Sequence, residues 1–298
     1  MDNDYMKNRA EATEMFLARI SPMDVMNRIS NFRKKNIKNL TDEELHAEIY
    51  NVLMINNLFV YITNGGAYPA NTPFFRVRKL NCSVIGEMNF TSLSDFWEPP
   101  QRYVERSGRL NKVGESLLYT SPSNPNVAIS EMHLNENDWY ALIKYTALKE
   151  IKVNIIGGKY DYKQLGFTNE KAILIHELFN SFLRDEFSRE VGEGTEHLYR
   201  VSEKIAKDFF DLPREVQDGW CYSSVQDKQQ YNVCFRPDAA HELLTLNGAM
   251  ICKAEKDNSI RPRCVALPSK ITGKVEFYPL GSEQQRIAFP EIEIYSDI

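Results

Sequence analysis

Cysteine is scarce in this 298-residue sequence and shows no pairing pattern. The five present (Cys82, Cys221, Cys234, Cys252 and Cys264) contain no CxxC. The odd count and loose spacing argue against a disulfide framework or a zinc knuckle. Reduced thiols fit a cytoplasmic protein. Glycine-rich phosphate loops are also missing: no GxGxxG follows a strand pattern and no GxxxxGK[ST] exists, so Rossmann and P-loop nucleotide sites have no support. Neither HExxH nor GxSxG occurs, and the five histidines (His46, His133, His176, His197, His241) are scattered. A serine triad or a metal centre would have to be invented. Long apolar runs are absent, so no membrane span is expected. The polar start MDNDYMKNRAEATEMF, with its early acids, does not read as a signal or transit peptide. Excess positive charge is lacking too. With 36 Lys and Arg against 41 Asp and Glu, the net charge is -5. That is a poor default for binding nucleic acid, whose phosphates call for a basic face. The Arg33-Lys34-Lys35 run reads as a solvated helix end. A small anionic ligand needs only a few arginines.

What is present is ordinary globular composition, 43% hydrophobic and 26% charged residues. The length suits one large domain with additions, or two modest ones. Residues 1–65 read as a helical N-terminal region. Ser21-Pro22 opens one helix with proline at its first position, and Thr41 with Glu44 forms a capping-box pattern before another. The loop Asn64-Gly65-Gly66-Ala67-Tyr68-Pro69 marks a boundary. FFRVRKL then alternates as a strand. SLLYTS reads as a short strand, and NPNVAISEMHL as a cap and helix, with Asn124 or Asn126 near its start. NDWYALIKYTALKE is open between helix and strand. IKVNIIGG is a strand stopped by two glycines. TNEKAILIHELFNSFLRDEFSR is a long helix with a stripe of Ile173, Ile175, Leu178, Phe179 and Phe182; His176 on it reads as a helix-face residue rather than a ligand. HLYRVSEKIAKDFFD is a second amphipathic helix, while DGWCYSS and YNVCF are strands. From about Pro237 onward the chain reads as β-rich.

The chemistry-bearing residues gather in the middle. Arg76 and Arg78 lie two apart on a strand, so both leave one face. Two arginines cannot be buried unpaired, so that face is either a solvated edge or the wall of a cleft. Further on stand Gly108-Arg109-Leu110-Asn111, then Leu117-Leu118-Tyr119, then Ala128-Ile129-Ser130-Glu131. Later come D-G-W-C-Y-S-S at 218–224 and N-V-C-F at 232–235. Taken in order with F-F-R-V-R at 74–78, this series resembles the RES-domain family of NAD+-degrading toxins. The likeness spans about half the chain. The segment between Glu131 and Ser224, with its long helix, is longer than in compact members of that family, and both termini lie outside its minimal domain.

The resemblance implies an α+β fold with an ADP-ribosyltransferase-like split β-sheet core and flanking helices. Residues 66–240 would form the NAD-binding catalytic domain, followed by a β-rich C-terminal extension over 241–298. It assigns Glu131, Arg109 and Tyr119 to catalysis, and Arg76 or Arg78 with Ser224 (Ser223 being adjacent) to NAD+ binding. NAD+ is then the substrate, with no separate cofactor, no metal, and inorganic phosphate as a candidate co-substrate. Cleaving the nicotinamide N-glycosidic bond builds oxocarbenium-like charge on the ribose. One carboxylate, Glu131, suits that charge, because nicotinamide leaves as a neutral group without a general acid. Arginine forks suit the pyrophosphate, and Tyr119 offers a flat face and a hydroxyl. An antitoxin covering the cleft is the implied protein partner. Transfer of ADP-ribose to a macromolecule is the alternative activity, and a non-catalytic partner-binding module is a third reading.

Overall fold

The computed structural model describes residues 3–59, 61–82, 88–255, 260–269 and 271–292. Along the chain run α1 (Asn3–Leu17), α2 (Pro22–Arg33), α3 (Asp42–Leu53), the short strands β1 (Met54–Ile55), β2 (Leu58–Phe59) and β3 (Gly65–Tyr68), then β4 (Pro73–Leu80) and β5 (Leu118–Pro122). Next come α4 (Pro125–Ser130), β6 (Trp139–Ala147), β7 (Ile151–Ile156), α5 (Glu170–Ser188), α6 (Tyr199–Phe209), β8 (Gly219–Ser223) and β9 (Tyr231–Phe235). The series closes with α7 (Pro237–Leu243), β10 (Leu244–Lys253), β11 (Pro262–Pro268), β12 (Val275–Pro279) and α8 (Glu283–Ala288). The chain is therefore α+β. Among the described residues no helix is long and apolar enough to cross a membrane. The elements divide into two compact units, each built from three stretches of chain: residues 1–66, 105–113 and 153–225 in the first, and residues 67–104, 114–152 and 226–298 in the second.

In the first unit α5 is the central helix. Asn169 caps it by accepting from the Ala172 N–H at 3.1 Å. Its buried side is Ala172, Ile175, His176, Phe179, Phe182, Leu183 and Phe187, while Ile173 and Leu178 of the expected stripe fall at its half-exposed margins. α1, α2 and α6 pack on it. Phe32 of α2 meets Phe182 edge to face at 5.3 Å, a favoured aromatic geometry. α3 begins with the expected capping box, the Glu44 N–H donating to Thr41 Oγ1 at 3.2 Å and the Thr41 N–H to Glu44 Oε2 at 2.8 Å. Pro22 opens α2 as expected, but the Ser21 hydroxyl makes no capping bond. β7 and β8 pair in parallel, Val153 opposite Gly219.

His176 is fully buried there, and its neighbours fix its proton. The Ile62 N–H donates to Nε2 at 3.2 Å, so the ring hydrogen sits on Nδ1, 2.9 Å from the Tyr162 hydroxyl. Tyr162 in turn donates to Glu177 Oε2 at 2.9 Å, and Arg184 donates to Glu177 Oε1 at 3.0 Å. Burial pushes the His176 pKa down to about 4, against the pull of Glu177. Burial raises the Glu177 pKa, but hydrogen bonds from Tyr162, Arg184 and Asn180 outweigh it and leave the carboxyl below its usual value. Both shifts act in one direction. The unfolded chain takes up a proton at His176 near pH 6.5 while the folded chain resists until about pH 4, so stability falls as pH drops through that window. The His176 contribution amounts to about 3 kcal/mol once the pH is below 4. Urea denaturation between pH 7.5 and 4 is expected to show this loss, and His176→Gln is expected to flatten the upper part of the slope while lowering stability at pH 7.5.

The second unit is built on an antiparallel sheet in the order β12, β11, β10, β6, β4, β5, β9. The segment left open between helix and strand is the interior strand β6, paired with β4 on one side and β10 on the other. Because both faces of β6 are covered, its sequence is apolar almost throughout and carries no clear alternation. The C-terminal region is β-rich as expected, with the addition of α7 and α8. Gly248 sits at the bulge between Leu246 and Gly248, with φ at +143°. That φ strains any residue with a side chain, and a Cβ there would meet Leu267 Cδ2 at 2.4 Å unless that leucine moved.

One face of this sheet carries Phe75, Val77, Tyr140, Leu142, Met250, Cys252 and Val265, packed with Ala128 of α4 and with Ala288 and Phe289 at the C-terminal end of α8. The opposite face carries Phe74, Arg76, Arg78 and Tyr145. β4 and β5 pair only at Phe74–Pro122 and Phe75–Ser121. β5 continues instead along β9, with Tyr119 opposite Cys234 and Leu118 opposite Phe235. The sheet therefore splits beyond Ser121.

Candidate functional site

Glu131 is the residue that ends α4. Asn124 caps the start of this helix by accepting from the Asn126 N–H at 3.0 Å, and Pro125 occupies its first position. Val127 and Ala128 are buried as α4 packs on β4 and β5. This docking brings Glu131 over the Phe75 face of the sheet. Its Oε1 accepts from Asn232 Nδ2 at 3.0 Å. Asn232 Oδ1 accepts in turn from the Ser121 hydroxyl at 2.7 Å. Ser121 and Asn232 are 2% and 6% exposed, so this pair of bonds is shielded, whereas Glu131 is half-buried.

Tyr119 lies two residues before Ser121 on β5, so the two side chains leave the same face. It stands past the point where β4 and β5 part, and it is half-buried. The second unit thus gathers Tyr119, Ser121, Asn232 and Glu131 on one face at a split in the sheet. Of these, the sequence reading named Tyr119 and Glu131. It did not single out Asn232 or Ser121, although Asn232 opens the N-V-C-F block and Ser121 is one strand period from Tyr119. A hollow of about 370 Å³ adjoins α4, walled by Asn126, Ile129 and Ser130 and by His133, Tyr140 and Glu255.

Arg76 and Arg78 are not brought to this group. They leave the opposite face of β4, and the segment 89–97 lies over them. Arg78 pairs with Asp95 Oδ1 at 2.7 Å, donates to the Asp95 carbonyl at 3.0 Å and the Asn89 carbonyl at 3.3 Å, and rests over the Phe90 ring at 5.7 Å. Burial raises the Asp95 pKa, but N–H groups of Thr91 and Ser92 together with Arg78 hold the carboxyl below its usual range. Arg76 donates to the Trp97 carbonyl. Burial lowers the Arg76 pKa, opposed by Tyr145 and Glu98. Trp97 packs in tilted contact on the rings of His241 at 4.2 Å and Tyr145 at 5.1 Å, anchoring the loop over this face. The polar face expected of these two arginines is therefore neither a solvated edge nor an open wall. It is a half-buried layer in which the arginines hold a loop, Arg78 keeping 27% of its side chain exposed.

Arg109 and Ser224 belong to the first unit. Arg109 is 9% exposed and donates to the carbonyls of Glu186 at 3.4 Å and Arg189 at 3.0 Å, at the C-terminal end of α5. Its guanidinium lies over the rings of Tyr199 at 5.5 Å and Tyr222 at 6.0 Å. The Ser202 hydroxyl donates to the Arg109 carbonyl at 2.8 Å. A cation there satisfies the last carbonyls of the helix and complements its dipole. Ser224 is fully buried directly after β8, and Ser223 is 6% exposed.

Among the described residues, no group of three or more His, Cys, Asp or Glu side chains could hold a metal ion. Compared with protein-family models and with curated proteins, the chain matches none.

The role of Arg109 within its own unit is directly testable. Arg109→Met keeps the apolar stem and removes the charge-assisted bonds, and is expected to cost roughly 2 kcal/mol in urea denaturation. Arg109→Lys is expected to recover less than half of this, because an ammonium cannot reach both carbonyls as a fork does.

Proposed function

We propose that this chain consumes NAD+, breaking the bond between nicotinamide and its ribose, with water or inorganic phosphate as acceptor. The observation that supports this best is the Glu131 carboxylate, held at one oxygen by Asn232 on the same sheet face as Tyr119. A carboxylate fixed in advance meets the positive charge that develops on the ribose without having to reorganise at the moment of reaction. Nicotinamide departs without a general acid, so one such carboxylate is sufficient. Tyr119 offers its ring to the nicotinamide and its hydroxyl to a ribose or phosphate oxygen.

The finer fold assignment, an ADP-ribosyltransferase-like split sheet, belongs to the same proposal. Its support is the two-residue ladder between β4 and β5, beyond which the strands part. The reading rests on Glu131 and Tyr119. Arg76, Arg78 and Arg109 are given structural roles in it, since their donors already serve backbone carbonyls and Asp95, and Ser224 is given none. Like the RES-domain toxins it resembles, the protein would then be held in check by an antitoxin covering Glu131 and Tyr119.

The test is to incubate the pure protein with NAD+ labelled in its ADP-ribose moiety, with and without phosphate, and to identify the products. Free ADP-ribose is expected from hydrolysis and its phosphate ester from phosphorolysis, with nicotinamide released in both. Label on a macromolecule would redirect the reading to ADP-ribosyl transfer. Glu131→Gln is expected to slow NAD+ loss about 100-fold, and a variant as fast as the parent would sink the mechanism. Expression in cells is expected to arrest growth and lower NAD+, both relieved by the same substitution.

A further inference from the structure

We propose that Ser121 is a positioning residue for Glu131, acting through Asn232. The argument starts from what each group can donate. An ionised carboxylate only accepts, so the Asn232 atom that faces Glu131 Oε1 at 3.0 Å must be the amide nitrogen. The amide oxygen then faces Ser121 Oγ at 2.7 Å, and the serine hydroxyl has to be the donor. The hydrogens of the whole chain therefore run one way, from Ser121 through Asn232 to Glu131. The carboxylate sets which end of the amide it meets, and the serine hydroxyl, donating to the other end, pins the amide plane to β5. Without the hydroxyl the amide keeps its one bond to the carboxylate but loses its anchor to the strand, so it no longer holds that carboxylate in one place.

The relay sits where it can act as a rigid base. Ser121 is the last β5 residue in register with β4, opposite Phe75, before the strands part. Asn232 is on β9, alongside β5. Both lie within the sheet, whereas Glu131 caps the C-terminal end of α4, a helix of only six residues. The carboxylate is thus tied to the strands through Asn232. Thr120, the neighbour of Ser121, donates from Oγ1 to the Val233 carbonyl at 2.9 Å and ties β5 to β9 at the same level.

The catalytic half of this inference rests on the NAD+-consuming reading, so two measurements separate the failures. The first does not use activity. In protein labelled with ¹³C at glutamate Cδ, the Glu131 carboxyl signal is identified by its loss in Glu131→Gln. It is expected to shift in Ser121→Ala and to return toward its parental position in Ser121→Thr, which keeps the hydroxyl on a strand that accepts β-branching. A signal unmoved in Ser121→Ala overturns the relay whatever the protein catalyses.

The second measurement is the rate of NAD+ loss. Ser121→Ala is expected to lower kcat about 10-fold with KM changed less than twofold, because orientation of the carboxylate matters most in the transition state. Ser121→Thr is expected to restore kcat to within about threefold. Parental kcat in Ser121→Ala, or equal losses in the alanine and threonine variants, overturns the positioning role. A wild-type protein that leaves NAD+ intact overturns the catalytic half and the functional reading together, and leaves the carboxyl shift to decide whether the relay exists.

Discussion

The side-chain alternation of β4 is the constraint on which the second unit depends. An interior strand sends successive residues to opposite layers. Phe75 and Val77 go to one layer, shared with Met250 and Cys252 of β10, where α4 and the end of α8 close over them. Phe74, Arg76 and Arg78 go to the other. A polar residue in that second layer has to find partners or leave the interior. The arginines find theirs in the backbone and carboxylate of segment 89–97, so that loop is fastened to the sheet by charge-assisted bonds rather than by apolar contact alone. The same alternation, carried across to β5 and β9 by register, puts Ser121, Tyr119, Asn232 and Cys234 in the layer with Phe75. The place of Glu131 follows, because α4 packs on that layer.

Much of this was legible in the sequence where the determinant is local. Thr41 and Glu44 are three residues apart, and their reciprocal bonds need nothing beyond the helix they start. Asn124 and Pro125 specify the start of α4 in the same way. β4 announced itself by alternation, since one of its layers is polar. β6 did not, since burial on both sides leaves no alternation for the sequence to display. The buried side of α5 was displaced from the expected stripe because His176 and Asn180 are buried with partners, and a pattern of apolar residues cannot anticipate polar ones that are satisfied internally.

The site was legible in part for a related reason. Tyr119 and Glu131 stand twelve positions apart, within one strand–helix unit. The Asn232 bond to Glu131 spans 101 residues and the Ser121 bond to Asn232 spans 111. Such contacts exist only once β5 and β9 are paired, and no local pattern encodes that pairing. The arginines illustrate the converse. Their residue type suggested anion binding, yet a guanidinium serves a helix end or a loop carbonyl equally well, and only geometry distinguishes these uses. Arg109 completes the C-terminus of α5 across 77 and 80 residues of chain.

The interleaving of the two units bears on how the molecule can be cut or assembled. Each is made of three separate stretches, with the changeovers at 66/67, 104/105, 113/114, 152/153 and 225/226. The nine residues 105–113 are the shortest stretch and carry Arg109. No single truncation point leaves one unit whole and discards the other. A proteolytic fragment ending at any loop before β8 would lack strands or helices of both. During synthesis, neither unit can close until residues beyond 200 have emerged. Long-range closure of this kind slows folding and leaves unpaired strands exposed for longer. The early helices α1–α3 must therefore wait for α5 and α6 before their apolar sides are covered.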